Sequence, residues 1–262
     1  MRFIETCAWW KGIVNRNDVV DYFGISMAQA SSDMQAYLEL NPDCVVYNLR
    51  LKRYETTPAM KWMFGRPNLA EAVTLFLGGE YNALCAGVAG DPQAEATAVF
   101  LPPNGKVDEH VERRAFLAIM NGYRIRMRYI CPEFGHEEWR RIRPHAIAFN
   151  GHNWHLRAWC ERSDDYLDFP LNRILEIEWA RELMGLPRPD AEWDAWVTLK
   201  VRPRRDLDAL RKRAAELDYG IPKAGLKLKI RKAMEPHVRE RLGLPQEDGT
   251  PAATPNPLLE LF

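Results

Sequence analysis

Three changes in the rhythm of apolar and polar positions divide the chain. Up to about Tyr54 the apolar residues recur at helical spacing and end in a hairpin pattern, with breaks at Gly12 and at Phe23-Gly24-Ile25. From Thr57 to about Met120 the pattern is mixed. Pro58, Pro67, Gly78-Gly79, the small-residue run Ala83 to Ala98 and Pro102-Pro103-Asn104-Gly105 read there as a connector with helices of its own. From Tyr123 to Trp179 the period shortens to two. Tyr123, Ile125, Met127 and Tyr129 alternate with Arg124, Arg126 and Arg128, as a half-buried strand requires. Asn150-Gly151 predicts a two-residue type I′ turn between the apolar segments Ala146 to Phe149 and Trp154 to Trp159. Beyond Gly185 to Pro189, a strand (Trp196 to Val201), an amphipathic helix (Asp206 to Leu217) and a second strand (Leu226 to Ile230) suggest a βαβ-like unit. The segment Gln246 to Asn256 reads as loose, while Leu258 to Phe262 is apolar enough to dock.

Near the start, Asn17 or Asp18 can cap a short helix through Val19, Val20, Tyr22 and Phe23. Gly24 breaks it, and Ser26 caps a second helix running to about Leu40. In that second helix Ile25, Ala30, Met34, Tyr37 and Leu38 would face a core, leaving Met27, Gln29, Ser31, Ser32 and Gln35 outward. A helix kept at the surface only for solubility carries Lys and Glu. Gln and Ser suit base edges and phosphates in a major groove, with no charge to desolvate. The segment Val45 to Tyr54 then reads as two short strands about Asn48, with Arg50, Lys52 and Arg53 on the second as a cationic wing for a phosphate backbone. The spacing alone also fits the end of a helical bundle with a polar face. The order of helix, helix, polar helix and basic hairpin favours a winged helix-turn-helix.

Composition narrows the function classes. The 262 residues carry 36 Lys plus Arg and 36 Asp plus Glu, so no net positive field exists to draw in nucleic acid. Met1 to Arg66 holds eight basic residues against seven acidic ones, which points to a dimer reading two half-sites ~34 Å apart rather than to a single copy. From Val201 to Arg239 there are twelve basic residues against five acidic ones, read either as a second nucleic-acid surface or as the solvated face of a dimerisation domain. The five scattered cysteines, the missing apolar signal core and the lack of a long apolar run read as a cytoplasmic chain without a membrane span.

Between Lys106 and Lys200 there is no lysine but there are thirteen arginines, interleaved with Tyr129, Trp139, His145, Trp154, His155, Trp159, Tyr166 and Phe169. The planar guanidinium forks phosphate or carboxylate and stacks on rings, so this mixture fits a site for an anionic ligand such as a nucleotide or nucleic-acid fragment. It equally fits outward arginines paired to Glu137, Glu138, Asp164, Asp165 and Asp168 over an aromatic core.

Arg143-Pro144-His145, Gly151, the run Trp154 to Cys160 and the run Asp168 to Ile174 resemble the core of the WYL domain, an Sm-like β-barrel named for a Trp-Tyr-Leu triplet; here His155 replaces the tyrosine. The run Gly24 to Tyr37 resembles the winged helix of WYL-domain regulators, and Asp218-Tyr219-Gly220 with Leu226 to Ala233 resembles their carboxy-terminal extension. The nearest likeness is to repressors of phage-defence loci of the BREX and CBASS type. The resemblance implies an α+β chain with four parts: a winged helix-turn-helix (1–56), a helical connector (57–120), a WYL domain (121–184) and a small α/β extension for dimerisation (185–262). It further implies a homodimeric repressor on a palindromic operator, released by a ligand in the WYL domain. The ligand positions it points to are Tyr129, Arg143, His145, Trp154, His155, Arg157 and Arg173.

Other chemistry finds no support in the residues. His136, His145, His152 and His155 lack acidic or thiol partners at metal-ligand spacing, and no cofactor is expected. Gly87 and Gly90 are not followed by Lys-Ser/Thr, so no phosphate loop forms, and Asp164-Asp165 reads as a turn. The rival classes are an enzyme acting on nucleotides in the arginine-rich sheet and an adaptor that binds a protein through the polar helix.

Overall fold

A computed structural model describes residues 1–65, 68–77, 107–132, 135–183 and 185–262, with backbone alone for 179–182. Of the features expected in the connector, Pro58 lies within these residues, whereas Pro67, Gly78-Gly79, the small-residue run Ala83 to Ala98 and Pro102-Pro103-Asn104-Gly105 lie outside them. The chain forms two compact units, one of residues 1–148 and 153–185, the other of 149–152 and 186–262.

The first unit starts with α1 (Arg2–Lys11), seven of whose ten residues are buried. Gly12 ends it at φ +71°, where a Cβ would also press on Leu117, so this position requires glycine twice over. Strand β1 (Ile13–Val14) follows, then α2 (Arg16–Phe23) and α3 (Met27–Leu40). The cap of α2 is Asn15 rather than Asn17 or Asp18: its side chain accepts from the Asp18 amide while Asp18 accepts from the Asn15 amide, a reciprocal pair that fixes the start two residues earlier. Ser26 caps α3 as its sequence predicts, and Ala30, Met34 and Tyr37 are its buried face. Strands β2 (Val45–Asn48) and β3 (Arg53–Thr56) complete a sheet of order β1-β3-β2.

Buried Glu5 ties this bundle together by accepting the Met63 amide at 2.6 Å, the Phe64 amide at 2.9 Å and the Tyr37 hydroxyl at 3.4 Å. Helices α4 (Leu69–Leu77) and α5 (Glu109–Asn121) carry the same core onward, with Phe116 of α5 edge-on to Trp10 at 5.2 Å. Both rings are fully buried, and truncating either one costs about 3–5 kcal/mol.

A five-stranded antiparallel sheet follows: β4 (Tyr123–Cys131), β5 (His136–Phe149), β6 (Trp154–Cys160), β7 (Asp165–Pro170) and β8 (Ile174–Leu183), in the order β7-β6-β5-β4-β8. Strands β7 and β8 are its two edges, so the sheet is open where the WYL resemblance implies a closed Sm-like barrel. The turn at Asn150-Gly151 also departs from expectation. Four residues separate β5 from β6, and of the pair only Gly151 has positive φ, whereas a type I′ turn needs it at both centres.

In the second unit β9 (Trp196–Pro203) pairs antiparallel with β10 (Leu226–Arg231) across α7 (Ala209–Asp218), so the unit is not βαβ, which requires parallel strands. Short helices α6 (Ala191–Asp194) and α8 (Glu235–Arg241) flank the strands. Strand β11 (Leu259–Leu261) docks on the other side of β9, as the apolar terminus suggests. The preceding segment is held rather than loose. Gly243, at φ +62°, lets Asn256 approach its backbone closely, and the Gln246 amide donates to the Thr250 carbonyl. Among the described residues no helix is long and apolar enough to cross a membrane.

Candidate nucleic-acid interface and arginine sheet

Helix α3 presents Met27, Gln29, Ser32 and Gln35 to solvent, with Ser31 half-buried. That face is less neutral than its Gln and Ser content suggests. The Gln29 amide donates to Asp33 at 2.9 Å and the Gln35 amide to Glu39 at 3.2 Å, so carboxylates four residues on hold both glutamines. Ser26 accepts the Gln29 amide hydrogen, and Ser31 donates to the Met27 carbonyl while accepting from Arg16 at 3.3 Å.

The wing differs from two strands about Asn48. The Asn48 side chain accepts the Arg50 and Leu51 amides, which folds residues 49–52 into a turn and puts Arg50 and Lys52 at its tip. Arg53 opens β3 and pairs with Glu55 at 2.8 Å, so its charge is already matched.

In the five-stranded sheet, cross-strand register sorts the expected ligand residues onto two faces, because directly opposed residues share a face and neighbours alternate. Arg157 stands opposite Asp168 and Trp159 opposite Tyr166. The Tyr166 ring is edge-on to both Trp159 and His145 at 5.3 Å, which puts His145, His155 and Arg157 on one face with Arg143 two residues along β5. Tyr129 stands opposite Glu138 on the other face, where Phe169 meets its ring at 5.2 Å; Trp154 packs against the core on that side. Arg173, in the 3₁₀ turn Leu171–Arg173, donates to the Tyr129 hydroxyl. Burial pushes that hydroxyl above its ordinary 10.0, and the Arg173 hydrogen bond pulls it back part of the way.

Most of the arginines already hold carboxylates. Arg124 forks Glu161 with two bonds of 2.8 Å, and Arg143 reaches the same carboxylate at 3.2 Å and the Gly185 carbonyl at 3.0 Å. These hydrogen bonds, Arg124's first, hold Glu161 below the usual 4.5 against the opposing effect of burial. Arg157 pairs with Asp168 at 3.2 Å, and Arg126 pairs with Glu178 while stacking on Trp139 at 4.2 Å. Sequence reasoning missed a second cluster, in which Arg140 and Arg162 both meet the buried carboxylate of Glu138 and Arg140 also reaches the Cys160 sulfur at 3.6 Å. The signal was available, since Glu138 and Arg140 stand two apart on one strand and share a face. Glu137, Glu138 and Asp168 are thus matched to arginines, but of their partners only Arg128 is outward; Arg140 and Arg157 are buried. Cys7 is packing rather than chemistry: burial pushes its thiol up to about 12.

Three family descriptions match the chain in order. They are the BrxR transcriptional regulator winged helix-turn-helix domain over residues 1–77, the WYL domain over 113–179, and the BrxR transcriptional regulator C-terminal dimerization domain over 196–261. Among curated proteins, the chain is similar to the DNA-binding transcriptional repressor CapW of Stenotrophomonas maltophilia, with 29% identity over 240 residues that cover 89% of this chain and 79% of that one. The repressors of the same name from Escherichia coli (strain KTE188) and Pseudomonas aeruginosa are 24% and 25% identical, covering 93% and 94% of this chain and 82% and 83% of theirs. Among solved structures, Proteasome accessory factor B/C (PafBC) of Arthrobacter aurescens aligns at 18% identity over 88% of this chain and 42% of its own, with a TM-score of 0.29.

Proposed function

The chain belongs to the WYL-domain winged helix-turn-helix transcription regulators, in the three-part form of BrxR, and from that premise we propose that it is a DNA-binding repressor. It binds a palindromic operator as a homodimer in the cytoplasm and controls a phage-defence locus. Residues 1–56 grip the duplex, 57–120 connect, 121–184 sense an anionic ligand and 185–262 dimerise. The ligand, a nucleotide or nucleic-acid fragment, is bound and not turned over. The observation that carries the reading is the solvent-facing row Met27, Gln29, Ser32 and Gln35 on α3, next to a hairpin tip holding Arg50 and Lys52. Ser26, Ser31 and Arg53 border that surface.

Dimerisation has a candidate face in the second unit. Leu210 and Leu217, seven residues apart on α7, are 83% and 65% exposed and lie on one side of the helix. We assign that face to a second copy of this unit, since the unit is matched to a dimerization domain. In the sensing domain, Arg143, His145, His155 and Arg157 share a face and form one ligand surface, while Tyr129, Trp154 and Arg173 serve the opposite side. A ligand shifts the repressor only by its differential affinity for the DNA-competent and DNA-incompetent states.

The test is Gln29→Glu with Ser32→Glu in the full chain. Two new negative charges on the exposed face of α3 should abolish retardation of the DNA upstream of the gene while leaving the melting temperature unchanged. Retardation equal to that of the parent protein overturns the reading and favours a protein-binding adaptor.

A further inference from the structure

A hollow of about 250 Å³ opens between the start of α2, the start of α3 and the hairpin. Asn15, Arg16 and Asn17 form one wall, Tyr47, Lys52 and Tyr54 form another, and Met27, the first residue of α3, borders it. No carboxylate lines it. Of the nearby acids, Asp18 is held by Lys11 at 2.5 Å and by the amide of Asn15 in the hollow's wall, and Glu55 by Arg53. Among the described residues neither Arg16 nor Lys52 forms an ion pair. The hollow therefore holds two unneutralised cations and two phenol-bearing rings 4.8 Å apart that are directly paired across β2 and β3.

Two further observations set it apart from an ordinary surface dent. Lys52 sits at φ +51°, in the left-handed region that costs a non-glycine residue about 1–2 kcal/mol. Arg16 also donates to Ser31 on α3, so whatever engages its guanidinium is coupled to the exposed face of that helix. The volume falls below the ~300–1,000 Å³ typical of sites that enclose a whole small ligand, yet it is ample for one phosphate presented on a polymer.

We propose that this hollow seats one backbone phosphodiester of duplex DNA, with Arg16 and Lys52 supplying the charge and Tyr47 and Tyr54 the neutral donors and wall. The inference rests on the DNA-binding reading and adds Arg16, Asn17, Tyr47 and Tyr54 to the interface.

The experiment compares the full chain with its Arg16→Gln/Lys52→Gln form by fluorescence anisotropy. It uses the upstream duplex and an unrelated duplex of equal length, each over a series of KCl concentrations. Each seat released should lower the slope of log affinity against log salt by roughly 0.9, or about 1.8 for a dimer. The ratio of specific to unrelated affinity should hold, since phosphate contacts carry no base information. A parent slope in the double variant overturns the seat while leaving DNA binding intact. Absence of binding by the parent to either duplex overturns both the seat and the reading beneath it. An unchanged slope, together with inorganic phosphate raising the melting temperature of the parent but not of the variant, assigns the hollow to a free anion and overturns the duplex assignment.

Discussion

Replacing Arg157 with alanine separates a structural arginine from a sensing one. The Arg157 and Asp168 side chains are 5% and 15% exposed and 3.2 Å apart, so the pair sits largely out of water. Removing one member of a buried pair costs about 3–5 kcal/mol, because the other is left as a desolvated charge. The unit that contains the pair has roughly 180 residues, and at ~2–4 °C per kcal/mol for that size the melting temperature should drop by roughly 6–20 °C. Such a loss would by itself erase repression, so the single variant does not discriminate between the two roles. Arg157→Met with Asp168→Leu does, since exchanging a buried pair for apolar side chains of similar size is often neutral or stabilising. The double variant should melt within a few degrees of the parent and retain DNA, yet stay on the operator when challenged with a panel of nucleotides and oligonucleotides that releases the parent. Calorimetry and gel retardation on the three proteins read both effects. A single variant that melts with the parent refutes the energetic argument, and a double variant that still responds to ligand removes Arg157 from the sensing surface.

Leu210→Asp with Leu217→Asp should convert the protein to a monomer in sedimentation at concentrations where the parent is a dimer, without lowering the melting temperature; a persistent dimer excludes α7 as the contact. Glu161→Gln should raise affinity for inorganic pyrophosphate several-fold in calorimetric titration, because Arg124 and Arg143 lose their internal counter-ion; unchanged affinity would put the anion elsewhere. The same residue sets a pH dependence. Its carboxyl is held below 4.5, so its stabilising contribution is complete above pH 4.5 and fades as pH falls through the lowered value. The difference in melting temperature between parent and Glu161→Gln should therefore shrink in acid and stay flat above pH 5.

The parts of the fold written in the sequence are those set by local rules. Ser26 with Ala30, Met34 and Tyr37 defines α3, and the Arg/apolar alternation from Tyr123 defines β4, because a cap and a period are both properties of neighbouring residues. Where two residues compete for one role, locality fails. Asn15 and Asn17 can each cap α2, and only the reciprocal bond with Asp18 decides. Strand β1 has two residues and no readable period; it exists because β3 offers Glu55 and Tyr54 as partners. The direction of β10 against β9 is also non-local, since a helix between two strands is compatible with either sense until the register is known.

The arginine sheet shows the same boundary at the level of function. That arginines and aromatic side chains share this sheet was legible, but which face each one takes was not, because face assignment across strands depends on a register that a single sequence does not carry. The register puts Arg143, His145, His155 and Arg157 on one side and Tyr129 on the other, and it gives three of the arginines around that first face an internal carboxylate: Arg124 and Arg143 share Glu161, and Arg157 takes Asp168. At these three arginines an incoming anion therefore does not meet a free guanidinium group. It must displace Glu161 or Asp168, so its net affinity is the difference between two charge-assisted contacts, whereas the carboxylate it expels regains water. On the proposed sensing role, Arg143 drawn to a new anion would have to let go of Glu161 and of the Gly185 carbonyl.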